Sequence, residues 1–367
     1  MKILSIGSDA TAVRTDSALA ERLRAYATHV ERYDVLVPAL TRVHADLAKN
    51  SAVYSGAGST KLLQLYRMYK EAQRLMRMRR YDVVTVQDPY YLGVLAYLVA
   101  RRFHAGLEVQ VHGWERLCGA RRLCARFVLR HAHAVRVVSM RIKRQLLGEF
   151  SVAEGKITVI PIYTEVRNKE KKERRREHDI PFVFLTVGRL VPVKRIDLQI
   201  EAMVEVVKKY PHTELWIAGE GRERRKLEAR SKNQGVSDGV KFLGWVNDLE
   251  KVYKQADTLV LSSDYEGWGL VVIEAAAQGL PIMMTDVGCA GEVIVNEQSG
   301  LVISVGNVRA LANAMLRLRE DVALRETLAQ GARNAIAKLP TRGETLMLYQ
   351  QSWEMAYRET QGGSKRK

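Results

Sequence analysis

Cysteine and long apolar runs are scarce in this sequence. Its three cysteines form neither a Cys-x-x-Cys pair nor an even set, which argues against a disulfide framework and a zinc site, and no metal site is predicted. The longest apolar run, Leu92 to Ala100, has nine residues, whereas a membrane-spanning helix needs about 20. Met1 to Ile6 lack the apolar core of a secretory signal. We therefore expect a cytoplasmic protein.

Two common nucleotide-binding signatures are also missing. Neither half of the chain has a Walker phosphate loop or a complete Gly-x-Gly-x-x-Gly after its first strand. Gly7 stands alone, followed by Ser8, in the first loop. The sequence therefore disfavours a dehydrogenase or a nucleotide kinase.

Positive charge is plentiful and unevenly distributed. The formal net charge is +17, of which +13 falls in residues 1–160 and +2 in residues 181–367. Such an asymmetry indicates a negatively charged partner for the first half: nucleic acid, an anionic lipid surface or a pyrophosphate-linked substrate. The alternative is that the charge only keeps the protein soluble.

The clearest basic segment is Lys61 to Arg80, where apolar and basic residues interleave at helical spacing. A basic amphipathic helix of this kind can lie on an anionic bilayer, and it can equally be an ordinary surface helix. The basic set continues in Arg116, Arg121, Arg122, Arg126 and Arg130. No pattern of a known nucleic-acid-binding module accompanies it.

Short apolar runs alternate with helical patterns along the whole chain, which predicts two doubly wound α/β domains with parallel sheets. The predicted strands of the first half are Lys2–Ile6, Asp34–Val37, Asp82–Gln87, Leu107–Val111 and Ala134–Ser139. Those of the second half are Phe182–Val187, Thr213–Ala218, Val240–Leu243, Thr258–Leu261, Pro281–Thr285 and Gly300–Ile303. The predicted organisation is a first domain at 1–162, a charged linker at 163–180, a second domain at 181–344, a helix at 345–360 that packs back towards the first domain, and a flexible tail at 361–367.

The most informative stretch runs from Ser262 to Ala275, after a strand and into a helix. Gly267 and Gly269 let backbone approach a ligand closely, and the amides of Gly269, Leu270 and Val271 suit a diphosphate. Glu266 and Glu274, eight residues apart, can accept hydrogen bonds from hydroxyls on either side of that phosphate. The simpler reading makes Glu274 only a charge near a helix start.

A second cluster of candidates follows the strand that ends at Val187. Gly188 ends that strand, and Arg189 and Lys194 stand five residues apart before a helix. Two cations here would neutralise a leaving diphosphate. The competing reading is a loop with solvated charges.

These motifs resemble those of the retaining glycosyltransferases of family four, which have two Rossmann-like domains in the GT-B arrangement, facing a central cleft. The resemblance covers most of residues 181–303. It implies donor contacts from Gly188, Arg189, Lys194, Gly219, Trp245, Val246, Glu266, Gly267, Trp268, Gly269, Leu270, Val271 and Glu274. Among them, Glu266 orients the donor sugar and Glu274 the ribose, while the Phe242 to Val246 segment lies where family members hold the base.

The first half resembles the family more loosely, as expected of the domain that receives the acceptor. His112, after a predicted strand, matches the family's active-site histidine near the donor sugar. With Glu266, Arg189 and Lys194 it completes the predicted catalytic set. Gly7 and Ser8 replace the usual glycine pair on the acceptor side, and Arg195 replaces the usual glycine after the phosphate-binding lysine.

The resemblance implies transfer of a sugar from a UDP- or GDP-linked donor to a hydroxyl, with retention and with neither a cofactor nor a metal. The basic first half favours an anionic, lipid-linked acceptor of cell-envelope glycan or glycolipid synthesis, at the inner face of the membrane. Three other functions remain open: a catalytically silent GT-B scaffold, a nucleic-acid-binding protein that uses the basic half, and a nucleotide-sugar epimerase.

Overall fold

The computed structural model describes residues 1–14, 16–113, 119–164 and 181–363. They form two compact units, one of Met1–Tyr163 with Pro340–Lys367 and one of Thr164–Leu339. Most of the predicted linker, the end of the predicted tail and the Trp114–Cys118 segment with Arg116 lie outside the described residues. No helix in the described ranges is long and apolar enough to cross a membrane.

The first unit is built on an eight-stranded sheet of order β3-β4-β2-β1-β5-β6-β7-β8. Its strands are β1 (Lys2–Ile6), β2 (Arg32–Ala39), β3 (His44–Ala48), β4 (Ser51–Ala57), β5 (Val83–Val86), β6 (Gly106–Val111), β7 (Ala134–Val137) and β8 (Ile157–Val159). Its first helices are α1 (Ala18–Ala27), α2 (Lys61–Arg79), α3 (Tyr91–Phe103), α4 (Gly119–His131) and α5 (Met140–Phe150). All pairings are parallel except that of β3 with β4.

Three of these strands, β3, β4 and β8, are not predicted by the sequence analysis. β4 is rich in small residues, Ser51, Ala52, Ser55, Gly56 and Ala57, which lack the branched side chains that mark a strand. β3 is a sheet edge and mostly unburied, so no apolar run marks it. β8, at the opposite edge, has three residues.

The second unit carries a six-stranded parallel sheet of order β11-β10-β9-β12-β13-β14. Its strands are β9 (Phe182–Val187), β10 (Thr213–Ala218), β11 (Val240–Gly244), β12 (Thr258–Leu261), β13 (Ile282–Thr285) and β14 (Leu301–Ile303). Its helices are α6 (Ile196–Lys209), α7 (Arg224–Asn233), α8 (Leu249–Gln255), α9 (Leu270–Ala277), α10 (Val308–Glu320) and α11 (Val322–Ile336). A core of buried hydrophobic residues from β9, β10, α6 and α10, aromatic in β9 and mainly aliphatic elsewhere, holds the sheet to its helices.

The last helix, α12 (Arg342–Gly363), belongs to the first unit and packs on β6 and β7. Trp353 is its anchor, since the ring is fully buried and lies 5.6 Å from the ring of Tyr33. Burying an aromatic ring of this size contributes a few kcal/mol. The predicted class, two doubly wound α/β units, is confirmed.

Candidate functional site

The strand order of the second sheet identifies where a ligand would bind. From β9 the chain turns to β10 and β11 on one side, and then to β12, β13 and β14 on the other. The change of direction falls between β9 and β12, which are neighbours. In open α/β sheets, ligands bind outside the carboxyl ends of the strands at such a switch point. The two loops there are residues 188–195 and 262–269, which contain both predicted motifs.

The two loops are fastened to each other by hydrogen bonds. The Ser262 hydroxyl lies 2.9 Å from the carbonyl oxygen of Lys194 and 2.8 Å from that of Arg195. The backbone amide of Asp264 donates to the carbonyl of Val193 at 2.8 Å. Buried Gln199 donates to Ser262 Oγ at 2.8 Å. The position of Lys194 is therefore set by strand β12 as well as by its own turn.

Lys194 and Glu266, 72 residues apart in sequence, form an ion pair. Lys194 Nζ lies 2.5 Å from Glu266 Oε1, and the Ser263 hydroxyl donates to the same oxygen at 2.7 Å. Both charged side chains are mostly buried. Glu266 Oε2 has no hydrogen-bond partner within the described ranges. The carboxylate thus orients the ammonium through one of its oxygens.

Helix α9 begins next to this pair without a side-chain cap. Its N-cap, Gly269, has φ +94°, a left-handed conformation that L side chains rarely adopt. Because glycine has no side chain, it cannot satisfy the first amides of the helix, and no side chain in the described part of the protein caps them. Uncapped amides at a helix start, here those of Leu270 and Val271, are typical of an anion-binding site. Gly267 precedes them in the same loop.

Glu274 lies one turn into α9 and accepts a hydrogen bond from the Tyr253 hydroxyl at 2.9 Å. Burial raises the pKa of Glu274, while the tyrosine hydrogen bond opposes that shift. Burial and the nearby carboxylate also raise the pKa of Tyr253, which keeps the phenol a donor. The sequence analysis missed Tyr253 because an apolar-faced helix such as α8 gives no sign of a polar role.

The remaining cations at this edge differ in their surroundings. Arg189 is exposed and has no acidic partner within the described part of the chain. Arg195 pairs with Asp197 at 3.2 Å and Asp264 at 3.1 Å, and its φ of +47° is one that glycine adopts at lower cost. The structure therefore shows an arginine in the backbone conformation that suits glycine, held there by two carboxylates.

Neighbouring loops contribute glycines and an exposed indole. Gly219, at φ +146°, lies so close to Gly188 that an added Cβ would come within 1.9 Å of the Gly188 carbonyl oxygen. Trp245 follows β11, is 75% exposed and donates to Asn247 at 2.9 Å; Val246 is next to it. A large exposed ring at this edge can stack on a flat base.

Trp268 behaves differently from Trp245. It is 2% exposed, and its backbone carbonyl accepts the amide of Cys289 at 2.9 Å. Its indole Nε1 is buried and has no partner among the described residues.

The predicted acceptor residues lie at the switch point of the first sheet, between β1 and β5. Gly7 directly follows β1 and donates to the Leu36 carbonyl at 3.1 Å, and exposed Ser8 follows it. The backbone amide of Gln87, after β5, donates to the carbonyl oxygen of Ile6 at 3.1 Å. Two strand ends thus bring short polar loops to this edge.

His112 follows β6 on the same sheet. Its Nε2 lies 2.9 Å from Gln110 Oε1. The residue is exposed. Desolvation by neighbouring protein atoms, with the positive charges of Arg136 and Arg22, lowers the pKa of His112 to about 4. The imidazole is therefore neutral at pH 7.

Two family models match this chain. The model described as "Glycosyl transferases group 1" matches residues 167–335, and the one described as "Glycosyltransferase Family 4" matches residues 18–162. The chain belongs to the family-4 glycosyltransferases. The two matches meet near the boundary between the two units.

Curated relatives match parts of the chain. An uncharacterized glycosyltransferase of Methanocaldococcus jannaschii is 33% identical over 211 residues, which is 54% of each chain. The chain thus spans about half the length of that relative. An alpha-monoglucosyldiacylglycerol synthase of Acholeplasma laidlawii is 23% identical over 327 residues, covering 82% of this chain and 80% of that protein.

Solved structures match over nearly the whole length. Sucrose-phosphate synthase from Thermosynechococcus elongatus superposes with a TM-score of 0.83 at 20% identity, covering 98% of this chain and 100% of that one. HepE of Anabaena, in complex with UDP, superposes with a TM-score of 0.76 at 19% identity, covering 96% and 99%. These likenesses show that the family-4 protein has the GT-B fold.

Proposed function

We propose that this family-4 protein transfers a sugar, with retention of anomeric configuration, from a nucleoside diphosphate sugar to a hydroxyl. The observation that carries the proposal is the second unit's switch point. There, the Lys194 and Glu266 pair lies on two adjoining loops, and the second loop leads into the uncapped start of α9 and to Glu274. Cation, amides and carboxylates in this order match a ligand made of sugar, diphosphate and ribose. The UDP bound by HepE supports the nucleotide as the donor's leaving group.

Each group then has a task as the bond between sugar and diphosphate breaks. Negative charge grows on the leaving oxygens, and Arg189, Lys194 and the amides of Leu270 and Val271 are already placed to stabilise it. Glu266 holds Lys194 through one oxygen and offers the other to sugar hydroxyls. Glu274 accepts the ribose hydroxyls. Since these groups neutralise the diphosphate, we propose that turnover needs no divalent metal and survives EDTA.

The proposed acceptor is anionic and held at a membrane surface. Helices α2, α3 and α4 contact one another in sequence and together contain twelve Lys or Arg residues but one acidic residue, Glu71. Leu123, 71% exposed, and Phe127, 42% exposed, lie among these cations. Anionic lipid attracts such a surface and apolar side chains insert into its interface. The Acholeplasma relative, which by name makes a glycosylated diacylglycerol, supports a lipid acceptor.

A thermal-shift panel tests the donor proposal. UDP, GDP, ADP, CMP and their sugars are added to the purified protein, each with and without EDTA. A ligand at about 100 times its dissociation constant adds about 2.7 kcal/mol to stability. We expect one nucleotide to raise the melting temperature by about 5 °C or more, equally with and without EDTA. Absence of any response would contradict the donor site.

Vesicle sedimentation tests the membrane proposal. We expect the protein to bind anionic vesicles more tightly than zwitterionic ones, and less so at high salt. Reversing the charge of Arg126 and Arg130 to Glu should weaken binding by at least about 30-fold, because each lost basic residue near the surface costs about 1 kcal/mol and each new carboxylate is repelled by the anionic lipid. The matched control reverses Arg222 and Arg225, exposed in the second unit. Equal binding to both vesicle types, or equal loss in both variants, would contradict the surface assigned here.

A further inference from the structure

Strand β6 has an unusual pattern for a strand at the centre of a parallel sheet. Such strands are covered on both faces and are nearly continuously apolar. Here, Glu108 and Gln110 alternate with aliphatic residues, although both are buried, and His112 continues the alternation beyond the strand's end. Side chains two apart lie on one face. The first sheet thus carries a polar track that runs along β6 to the predicted active-site histidine.

The inner end of this track is Glu108, a fully buried carboxylate. Ser352 and Trp353 of α12 donate to it at 2.5 and 3.2 Å, and Arg136 Nε lies 3.5 Å away. The Thr85 hydroxyl donates to it as well. A buried carboxylate is costly unless it is paired in this way. Surrounded by a guanidinium and three donors, Glu108 is an acceptor only.

That fixed acceptor sets the direction of every hydrogen bond after it. Thr85 donates its hydroxyl proton to Glu108, so the Thr85 hydroxyl oxygen can only accept a further hydrogen bond. Gln110 Nε2 donates to that oxygen at 2.7 Å. The amide of Gln110 is thereby oriented, with its carbonyl oxygen towards His112. A carbonyl oxygen cannot donate, so the proton between Gln110 Oε1 and His112 Nε2 belongs to the histidine.

We propose that Gln110, oriented by Thr85 and Glu108, is a positioning residue that holds His112 in the Nε2–H tautomer and leaves Nδ1 as a hydrogen-bond acceptor for a substrate hydroxyl. The role of Nδ1 rests on the proposed function; the tautomer does not. No described residue hydrogen-bonds Nδ1. The neutral state of the ring at pH 7 agrees with this assignment, since an imidazolium would have no free acceptor.

Nitrogen-15 NMR of protein labelled at histidine tests the tautomer directly. The His112→Asn spectrum identifies the His112 signals among the eight histidines. At pH 7, we expect wild-type Nε2 to show the shift of a protonated ring nitrogen and Nδ1 that of an unprotonated one. The opposite assignment, or an even mixture, would overturn the proposal. This measurement needs neither substrate nor activity.

Variants of Thr85 and Gln110 then test whether the polar track sets the tautomer of His112. Thr85→Val keeps the shape of the side chain but removes the hydroxyl, so the Gln110 amide can turn and the tautomer preference should be lost. Thr85→Ser keeps the hydroxyl and should restore it. If Thr85→Val does not fold, Gln110→Met, which removes the acceptor for Nε2–H, takes its place. An unchanged tautomer in a folded Thr85→Val or Gln110→Met protein would show that the track does not set it.

Turnover assays separate this proposal from the proposed function. In Thr85→Val we expect kcat to fall about tenfold, the factor that corresponds to one hydrogen bond. The affinity for the free nucleoside diphosphate should not change, because that ligand lacks the sugar. Thr85→Ser should recover the rate. If the wild type shows the expected tautomer but no sugar transfer, the proposed function is refuted and the role of the polar track is not. If the wild type transfers sugar but lacks the expected tautomer, the role of the polar track is refuted and the proposed function is not.

Discussion

Replacing Lys194 by alanine is expected to lower kcat/KM for sugar transfer about a thousandfold. Removing one preorganised group that stabilises developing negative charge costs about 10² to 10³ in rate. Here the loss also leaves Glu266, mostly buried, without its cation, so a carboxylate faces the diphosphate. Steady-state kinetics with the nucleotide sugar found in the thermal-shift panel measures the effect. The loss should lie mainly in kcat, because the charge on the leaving group is largest in the transition state.

Lys208→Ala is the matched control, since Lys208 is exposed on α6 and lies outside the two loops. It should turn over at the wild-type rate. Urea unfolding of both variants checks that the second unit is intact. A folded Lys194→Ala protein with turnover within about threefold of wild type would show that this lysine does not stabilise the leaving diphosphate.

Replacing Glu274 by alanine is expected to weaken nucleotide binding about 10- to 150-fold. Hydrogen bonds to a charged group contribute about 1.5 to 3 kcal/mol, and the ribose would lose its acceptor. Glu274→Gln should lose less, because the amide oxygen still accepts one hydrogen bond. Titration calorimetry with the nucleotide measures the change. Equal affinity in wild type and Glu274→Ala would place the ribose elsewhere.

Glu274 also predicts a pH dependence of donor binding. Burial raises the pKa of the free carboxyl, whereas ribose hydroxyls donating to it favour the ionised form. Affinity should therefore rise with pH as the free protein loses this proton, and Glu274→Gln should remove that rise. A nucleotide sugar is the better ligand for this test because its diphosphate has no terminal phosphate group that titrates near neutrality.

Tyr253→Phe refines the same test. The Tyr253 hydroxyl lowers the pKa of Glu274, so its removal should move the pH dependence upwards without abolishing it. A shift downwards, or no pH dependence in the wild type, would contradict the role assigned to this carboxylate.

Much of the fold is predictable from local patterns because buried parallel strands are continuous apolar runs. The predicted bounds of Phe182–Val187, Thr213–Ala218 and Thr258–Leu261 agree with β9, β10 and β12. β3 and β4 are not predicted, because β3 is a mostly unburied edge strand and β4, next to it, is rich in small residues, so neither carries such a signal.

The charged residues of the candidate site are predictable from the sequence, whereas the contacts between them are not. Nothing in the local pattern predicts that Ser262 fastens the turn carrying Lys194, or that Tyr253 donates to Glu274, because these contacts depend on strands brought together by the sheet order. Nothing in the local sequence predicts a role for Gln110, because that role depends on its hydrogen bond to Thr85, which in turn donates to Glu108. A sequence motif predicts the functional groups that lie within one segment of the chain. Contacts between distant segments can be identified only once the fold is known.

Hydrogen–deuterium exchange with and without the nucleotide identified in the panel tests directly where the diphosphate binds. If it binds on the two loops at the β9 and β12 switch point, exchange slows in peptides covering residues 188–195 and 262–274 and stays unchanged in peptides from α10. Protection confined to other parts of the second unit, or to the basic helices α2 to α4, would contradict binding there.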